Sequence, residues 1–445
     1  MTGSMTLDMT HGKATGLLLR FALPLMLSSL IQQMYTLFDS LIVGRLLGTL
    51  AFTATASAST VHWFPLHILL GAINGFGVIL AQQFGSRNRE GFHRAFAAAI
   101  TLALTLGVFL TVSGIIVALP VLELLNTPEA LIDYALRYLR MLWLGFSVTA
   151  ILNISTSALL AMGDSRTPLI ALTLSSGINI ALDYVFLAWL KMDVEGAALA
   201  TILAQVAAAL WSYRGLKREE NALPKAMHFR PDLTVWKQLL RMGVPRMLCN
   251  GVTTTGELLV QAAVNGWGVA FVTGMTASRR YLNLVNVINY GLEGSVATYV
   301  GQNWGAGEKQ RIREGTKSAI TMGIITSVTT AAVVILLAKP MILFFVPDGS
   351  AEVLKFGVES LQVMALYLPF LYLLCEYRAA IQGMGNALVP MLSGFLELVM
   401  RAASTLLLPL LLGRSALYYT DAAAWAATAP MLFLCYQHMK RKHLS

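Results

Sequence analysis

Asp39 and Asp183 stand inside long apolar runs, where an ionised side chain is expensive enough to be read first as functional. Asp39 lies in the stretch Tyr35-Thr-Leu-Phe-Asp-Ser-Leu-Ile-Val-Gly44. Asp183 follows Asn179 by one helical turn, so their side chains share a face. Carboxylates joined by amide and hydroxyl oxygens suit a hard monovalent cation such as Na+. Equally, crowded carboxylates in a low dielectric suit proton exchange. The competing structural reading has each acid capping a backbone group or pairing with a cation such as Arg137 or Arg140.

Other charges in apolar runs read differently. Glu397 and Arg401 have the spacing of a salt bridge within one helix, which would neutralise both in lipid. Glu257 has no evident partner; it reads as a second coupling carboxylate, a contact for substrate cations or a structural group. Glu376 and Arg378 are too close in sequence to share a helix face, which leaves their partners open. His62 and His67 read as interfacial packing beside Trp63. Cys249, Cys375 and Cys435 sit in apolar runs without metal-ligand spacing and behave as small hydrophobes. The loops hold no His/Asp or Cys constellation, so an enzyme is not expected and no cofactor is implied beyond the ion itself.

The elements that must position these groups are membrane helices. Of 445 residues, 56% are hydrophobic and 12% charged, too few charges to cover a soluble fold of this size. Apolar segments recur at 17–44, 52–81, 93–119, 131–160, 168–190, 195–213, 236–262, 268–299, 316–338, 356–381, 388–412 and 415–437. Each is long enough to span a bilayer, which predicts an all-α polytopic protein of 12 transmembrane helices. The N-terminal tail, the even-numbered loops and the C-terminal tail carry 20 Lys and Arg residues, whereas the odd-numbered loops carry five. The positive-inside rule then puts both termini in the cytoplasm. That asymmetry accounts for the net charge of +9 without nucleic acid as a partner.

Depth counting brings the polar groups together. At about 1.5 Å per residue, Asp183 lies roughly 22 Å along helix 5, in its outer half. Asp39 is about five residues from the outer end of helix 1. Tyr138 on helix 4 and Thr201 on helix 6 are each about seven residues in from outside, roughly 10 Å deep. Asp39, Tyr138, Asn179, Asp183 and Thr201 therefore fall at one level and read as a cation-coupling site.

An internal repeat organises the chain. Ala161-Met-Gly-Asp-Ser-Arg-Thr-Pro168 recurs as Gly383-Met-Gly-Asn-Ala-Leu-Val-Pro390 at an offset of 222, and Gly44 pairs with Gly266 at the same offset. Offsets of 220 or 221 pair Pro24 with Pro245 and Gly85 with Gly305. The division is an N-terminal lobe over 1–213 with helices 1–6, a cytoplasmic linker over 214–235, and a C-terminal lobe over 236–445 with helices 7–12. An even number of helices per half makes the two lobes parallel and pseudo-symmetric, a layout suited to rocking around a central cavity. Pro24, a few residues into helix 1, reads as a hinge or as a residue of the first turn. At offset 222, Asp183 becomes Thr405 and Asn179 becomes Arg401, so the lobes differ where the polar site lies.

These residues carry a resemblance. Leu160-Ala-Met-Gly-Asp-Ser-Arg-Thr-Pro168 with Asn179-Ile-Ala-Leu-Asp183 resembles the multidrug and toxic compound extrusion (MATE) transporters. So do Asp39-Ser-Leu-Ile-Val-Gly44, Gly196-Ala-Ala-Leu-Ala-Thr201 and Gly301-Gln-Asn-Trp-Gly-Ala306. The acid pair in the first lobe is closest to the DNA-damage-inducible F (DinF-type) branch. The resemblance implies a secondary antiporter that exports organic, cationic or lipophilic compounds in exchange for H+ or Na+. It implies a coupling cation at Asp39, Asn179, Asp183 and Thr201 with Tyr138 close by, and bending of helix 1 at Pro24. It also implies the bacterial or archaeal inner membrane and small organic substrates, and a monomer is expected. Glu257, Glu397 and Arg401 remain candidates for second-lobe or substrate contacts. A flippase for lipid-linked saccharides is the alternative within the same superfamily, and it would favour extra helices or a strongly basic cavity.

Overall fold

The computed structural model describes residues 6–125, 127–219, 222–347 and 349–444. Twelve helical runs follow one another, and no strand occurs among the described residues. They are α1 (Ala14–Leu47), α2 (Thr49–Gly85), α3 (Arg89–Leu124) and α4 (Glu129–Leu144 with Phe146–Ala161, bent by 47° between the two). Then come α5 (Arg166–Asp183, continued as a π-helix over Tyr184–Trp189) and α6 (Val194–Arg218). A short 3-10 turn, Ala226–Phe229, precedes α7 (Leu233–Asn265), α8 (Val269–Gly305), α9 (Lys309–Phe345) and α10 (Ala351–Gly383). The last are α11 (Leu388–Leu407) and α12 (Thr420–His443).

Most of these helices exceed the roughly 20 residues a bilayer core needs. Eight runs are long and apolar enough to cross a membrane, α11 and α12 counting together, and nine when bent α4 is taken as one span. The remaining two, α7 and α8, carry Lys237, Arg241, Arg246 and Glu257, and Arg279, Arg280 and Glu293. Those charges, together with uncharged polar residues such as Asn250, Thr253, Thr254, Gln261, Asn283, Asn286 and Asn289, rather than shortness, set them apart.

The repeat is written in turn geometry as well as in sequence. Between α4 and α5, Gly163 adopts φ 88°; between α10 and α11, Gly385 adopts φ 84°, and the two are 222 residues apart. A side chain in this left-handed region is strained, so glycine ends both helices. Directly after them, Asp164 Oδ1 accepts the Thr167 backbone N–H at 2.9 Å, and Asn386 Oδ1 accepts that of Val389 at 3.1 Å. Both residues therefore cap the helix that follows, again at an offset of 222. Gly48 and Gly268, with φ 87° and 89°, break the chain between α1 and α2 and between α7 and α8.

The described chain forms two compact units. One holds 6–8 and 27–247, the other 9–26 and 248–444. The boundaries fall inside α1 and α7, within a few residues of Pro24 and Pro245. In the second unit, Ser295 on α8 donates to the Leu18 carbonyl at 2.9 Å, and Asn303 donates to the Met9 carbonyl at 3.0 Å. In the first unit, α2 meets the start of α7 backbone to backbone. A Cβ on Gly75 would lie 2.6 Å from Gly243 Cα and from the Met242 carbonyl oxygen. Such close approach needs small residues on both sides. Gly75→Ala is expected to destabilise the first unit by about 1–3 kcal/mol, because backbone cannot swing aside. The thermal midpoint of the purified protein reads this, and an unchanged midpoint would contradict the packing.

Candidate ion-coupling site

The first unit gathers the polar residues of α1, α4, α5 and α6. Asp183 and Asn179 are completely buried on α5, and Tyr138 on α4 is buried as well. The Asp39 and Asp183 carboxyl groups stand in hydrogen-bond contact with each other. Two carboxyl groups can share a hydrogen bond only when one carries a proton, and otherwise a cation must sit between them. Oδ1 of each acid is buried and accepts no hydrogen bond among the described residues. Those two bare oxygens are the lone pairs a cation or proton would take.

The neighbours orient this pair. In the amide orientation that satisfies both of its ends, Asn179 donates to Asp183 Oδ2 at 3.1 Å and accepts the Thr201 backbone N–H at 3.2 Å. Thr201 donates its hydroxyl to the Ala197 carbonyl at 3.1 Å and meets the Tyr35 hydroxyl at 3.3 Å. Ser59 on α2 stands beside the Tyr138 hydroxyl and donates its own to the Thr55 carbonyl at 2.8 Å. All five residues expected at one level thus lie in one unit. Tyr35 and Ser59 were not among them. Tyr35 stands one turn before Asp39 on the same face of α1, a spacing that could have flagged it.

Arg137 does not neutralise either site acid. It pairs with Asp133 at 3.0 Å, Asp193 at 2.9 Å and Glu195 at 2.9 Å. The bridge from α4 to the start of α6 sets the rotation of both helices, which carry Tyr138 and Thr201 farther in. Asp193 also caps α6 by accepting the Val194 N–H at 2.9 Å. The π-helical turn begins at the residue after Asp183, where the ladder widens; such turns often mark functional positions.

The second unit carries a different array. Arg378 on α10 pairs with Glu397 on α11 and donates to Ser393 Oγ at 3.1 Å. Arg401 reaches Glu397 at 3.4 Å, so the expected pair within α11 forms, and Arg401 Nε donates to Asp421 on α12 at 2.8 Å. Arg279 on α8 stands 3.7 Å from Asp421. Glu257 lies exposed on α7, within the field of Arg401, Asp421, Arg279 and Glu397. Arg378 thus has its partner across the helix pair rather than along its own helix. Glu376 is fully buried, and neither of its carboxyl oxygens is hydrogen-bonded among the described residues. Sequence spacing gave no sign of Asp421 or Arg279, because their partners come from other helices. His62 stacks on Phe146 with ring centroids 5.4 Å apart, while His67 packs against Trp63 at the same distance.

The chain matches known proteins throughout. It is 28% identical over 367 residues to a probable multidrug resistance protein, YpnP, of Bacillus subtilis, covering 82% of this chain and 81% of that one. It is 24% identical over 333 residues to DNA damage-inducible protein F of Escherichia coli, covering 72% and 70%. Among solved structures, an outward-facing multidrug resistance MATE family transporter superposes with a TM-score of 0.91 at 22% identity, over 100% of this chain and 99% of that one. The MatE family profile matches twice, at 24–185 and 245–407, which is the repeat seen from outside. These are families of transporters, not enzymes. With more than half of its residues under that profile, the chain belongs to the MatE family of multidrug efflux transporters.

Proposed function

We propose that this protein is a secondary active antiporter that exports organic, cationic or lipophilic compounds in exchange for H+ or Na+. The observation that carries the reading is the contact of Asp39 with Asp183, each with a buried oxygen free of hydrogen bonds. Binding one cation or proton there leaves the pair with a single net negative charge and relieves its repulsion, and releasing it restores the repulsion. A site of this kind couples to transport when the two access states bind the ion with different affinity. Asn179, Thr201 and Tyr35 hold the pair in register, and Tyr138 closes it from α4. Pro24 would let α1 bend as Asp39 loads and empties. No cofactor is needed, since the ion gradient supplies the energy.

The proposed setting is the inner membrane, with both termini cytoplasmic and a monomer as the working unit. Relatives named as multidrug resistance proteins support organic export. A saccharide-lipid flippase lacks such support. The decisive test is efflux of a fluorescent cation such as ethidium from proteoliposomes, with the proton and sodium gradients collapsed in turn. Efflux should stop with one of the two. Efflux indifferent to both would end the antiport reading, and no movement of any organic cation would revive the flippase.

A further inference from the structure

The two halves can be compared position by position along α5 and α11. The family profile covers both, and the Gly-Asp and Gly-Asn caps that start these helices keep an offset of 222. At that offset Asn179 corresponds to Arg401 and Asp183 to Thr405. In the first unit this stretch faces an acid pair with bare buried oxygens. In the second it bears a guanidinium, 3% exposed, held between two buried carboxylates.

The local geometry is built around that guanidinium. Nε donates to Asp421 Oδ1 at 2.8 Å, and Nη2 lies 3.4 Å from Glu397 Oε2. On α7, Gly256 leaves room for it, since a Cβ there would lie 3.2 Å from Arg401 Cδ and 3.6 Å from Nη1. The planar fork lets one side chain bridge carboxylates from two helices, which a lysine would do less well. The surrounding charges are Arg279 and Arg378 against buried Glu397 and Asp421 and the exposed Glu257, so without Arg401 the five sum to one negative charge.

Buried carboxylates need a proton, a metal ion or a fixed cation. A guanidinium does not deprotonate in proteins and is covalently tethered, so it can neither leave nor exchange. We propose that Arg401 is the resident cation of the second unit. It fills the counterpart of the ion position in the first unit and thereby confines ion exchange to Asp39 and Asp183. This rests on the reading of those two acids as the coupling pair.

The test uses the full-length protein in lipid nanodiscs, with Na+, K+ and guanidinium chloride each added against choline chloride at fixed ionic strength. Arg401→Ala should gain a saturable stabilisation by at least one of these cations, about 5–10 °C at a hundredfold excess over Kd. Alternatively it should take up one additional proton on acidification. Wild type and Arg401→Lys should show only the binding that belongs to Asp39 and Asp183, and Glu397→Gln added to Arg401→Ala should remove the extra binding. A well-folded Arg401→Ala with no added cation or proton binding overturns the proposal.

Should Arg401→Ala fail to fold even with guanidinium present, the protein with Arg401 intact still decides. In Asp39→Asn/Asp183→Asn no exchangeable cation or proton should remain. A remaining one that disappears with Glu397→Gln or Asp421→Asn overturns the proposal. Undiminished exchange in Asp39→Asn/Asp183→Asn that ignores both of those changes overturns the coupling pair instead.

Discussion

Asp183→Asn is expected to collapse gradient-driven accumulation of substrate to an equal concentration on both sides of the membrane. One coupling charge moving through 100 mV releases about 2.3 kcal/mol. At about 1.4 kcal/mol per tenfold, that sustains a gradient of roughly 50-fold for an uncharged substrate. Asparagine keeps the size and planarity of the side chain but cannot hold a cation or exchange a proton. An ion that binds both access states equally can do no work. The loss should therefore appear as a ratio near one in proteoliposomes under an imposed gradient. Asp39→Asn should do the same, because the two acids act as one site, and the double variant should be no worse than either single one. A thermal midpoint close to wild type separates this from misfolding. Accumulation by Asp183→Asn at the wild-type ratio would remove the acid pair from the mechanism.

Glu397→Ala should cause the largest loss of stability. Its carboxylate is 3% exposed and serves both Arg378 and Arg401. Among the described residues, removing it leaves Arg378 with the Ser393 hydroxyl and Arg401 with Asp421. Breaking one partner out of a buried ion pair costs about 3–5 kcal/mol, since the remaining charge stays in a low dielectric. For a unit of roughly 200 residues this lowers the thermal midpoint by on the order of 10 °C. Glu397→Gln keeps hydrogen-bonding capacity and should fall between the two. By contrast, an exposed pair such as Arg94 with Glu90, 2.9 Å apart and half exposed, should shift the midpoint little when broken. A Glu397→Ala midpoint within a degree of wild type would mean that the buried array is not what holds α10, α11 and α12 together.

Some of this was legible because a helix has a fixed period. Asn179 and Asp183 share a face by spacing alone, and so do Glu397 and Arg401; both pairs meet in the structure. Counting residues from helix ends was enough to bring Asp39, Tyr138 and Thr201 to the level of Asp183, since every span crosses the same thickness. The repeat was legible from glycines and capping residues, because their backbone demands are local. Tyr35 on Thr201 and Ser59 on Tyr138 were less accessible, as both contacts join side chains on different helices.

Composition, periodicity and the offset of 222 determined the twelve helices, their two halves and the buried positions that carry charge. Those are consequences of lipid, which admits only internally hydrogen-bonded spans and few charges. Which helices are neighbours, and how each is rotated, was decided only by packing. That packing takes Arg137 away from the site acids to Asp193 and Glu195, and joins Arg378 to Glu397. It also lays Arg401 against Asp421. The period of a helix says which residues share its face but not what that face will meet. The side chains that settle it here, Gly75 against Gly243 and Gly256 beneath Arg401, are glycines whose role is the space they leave.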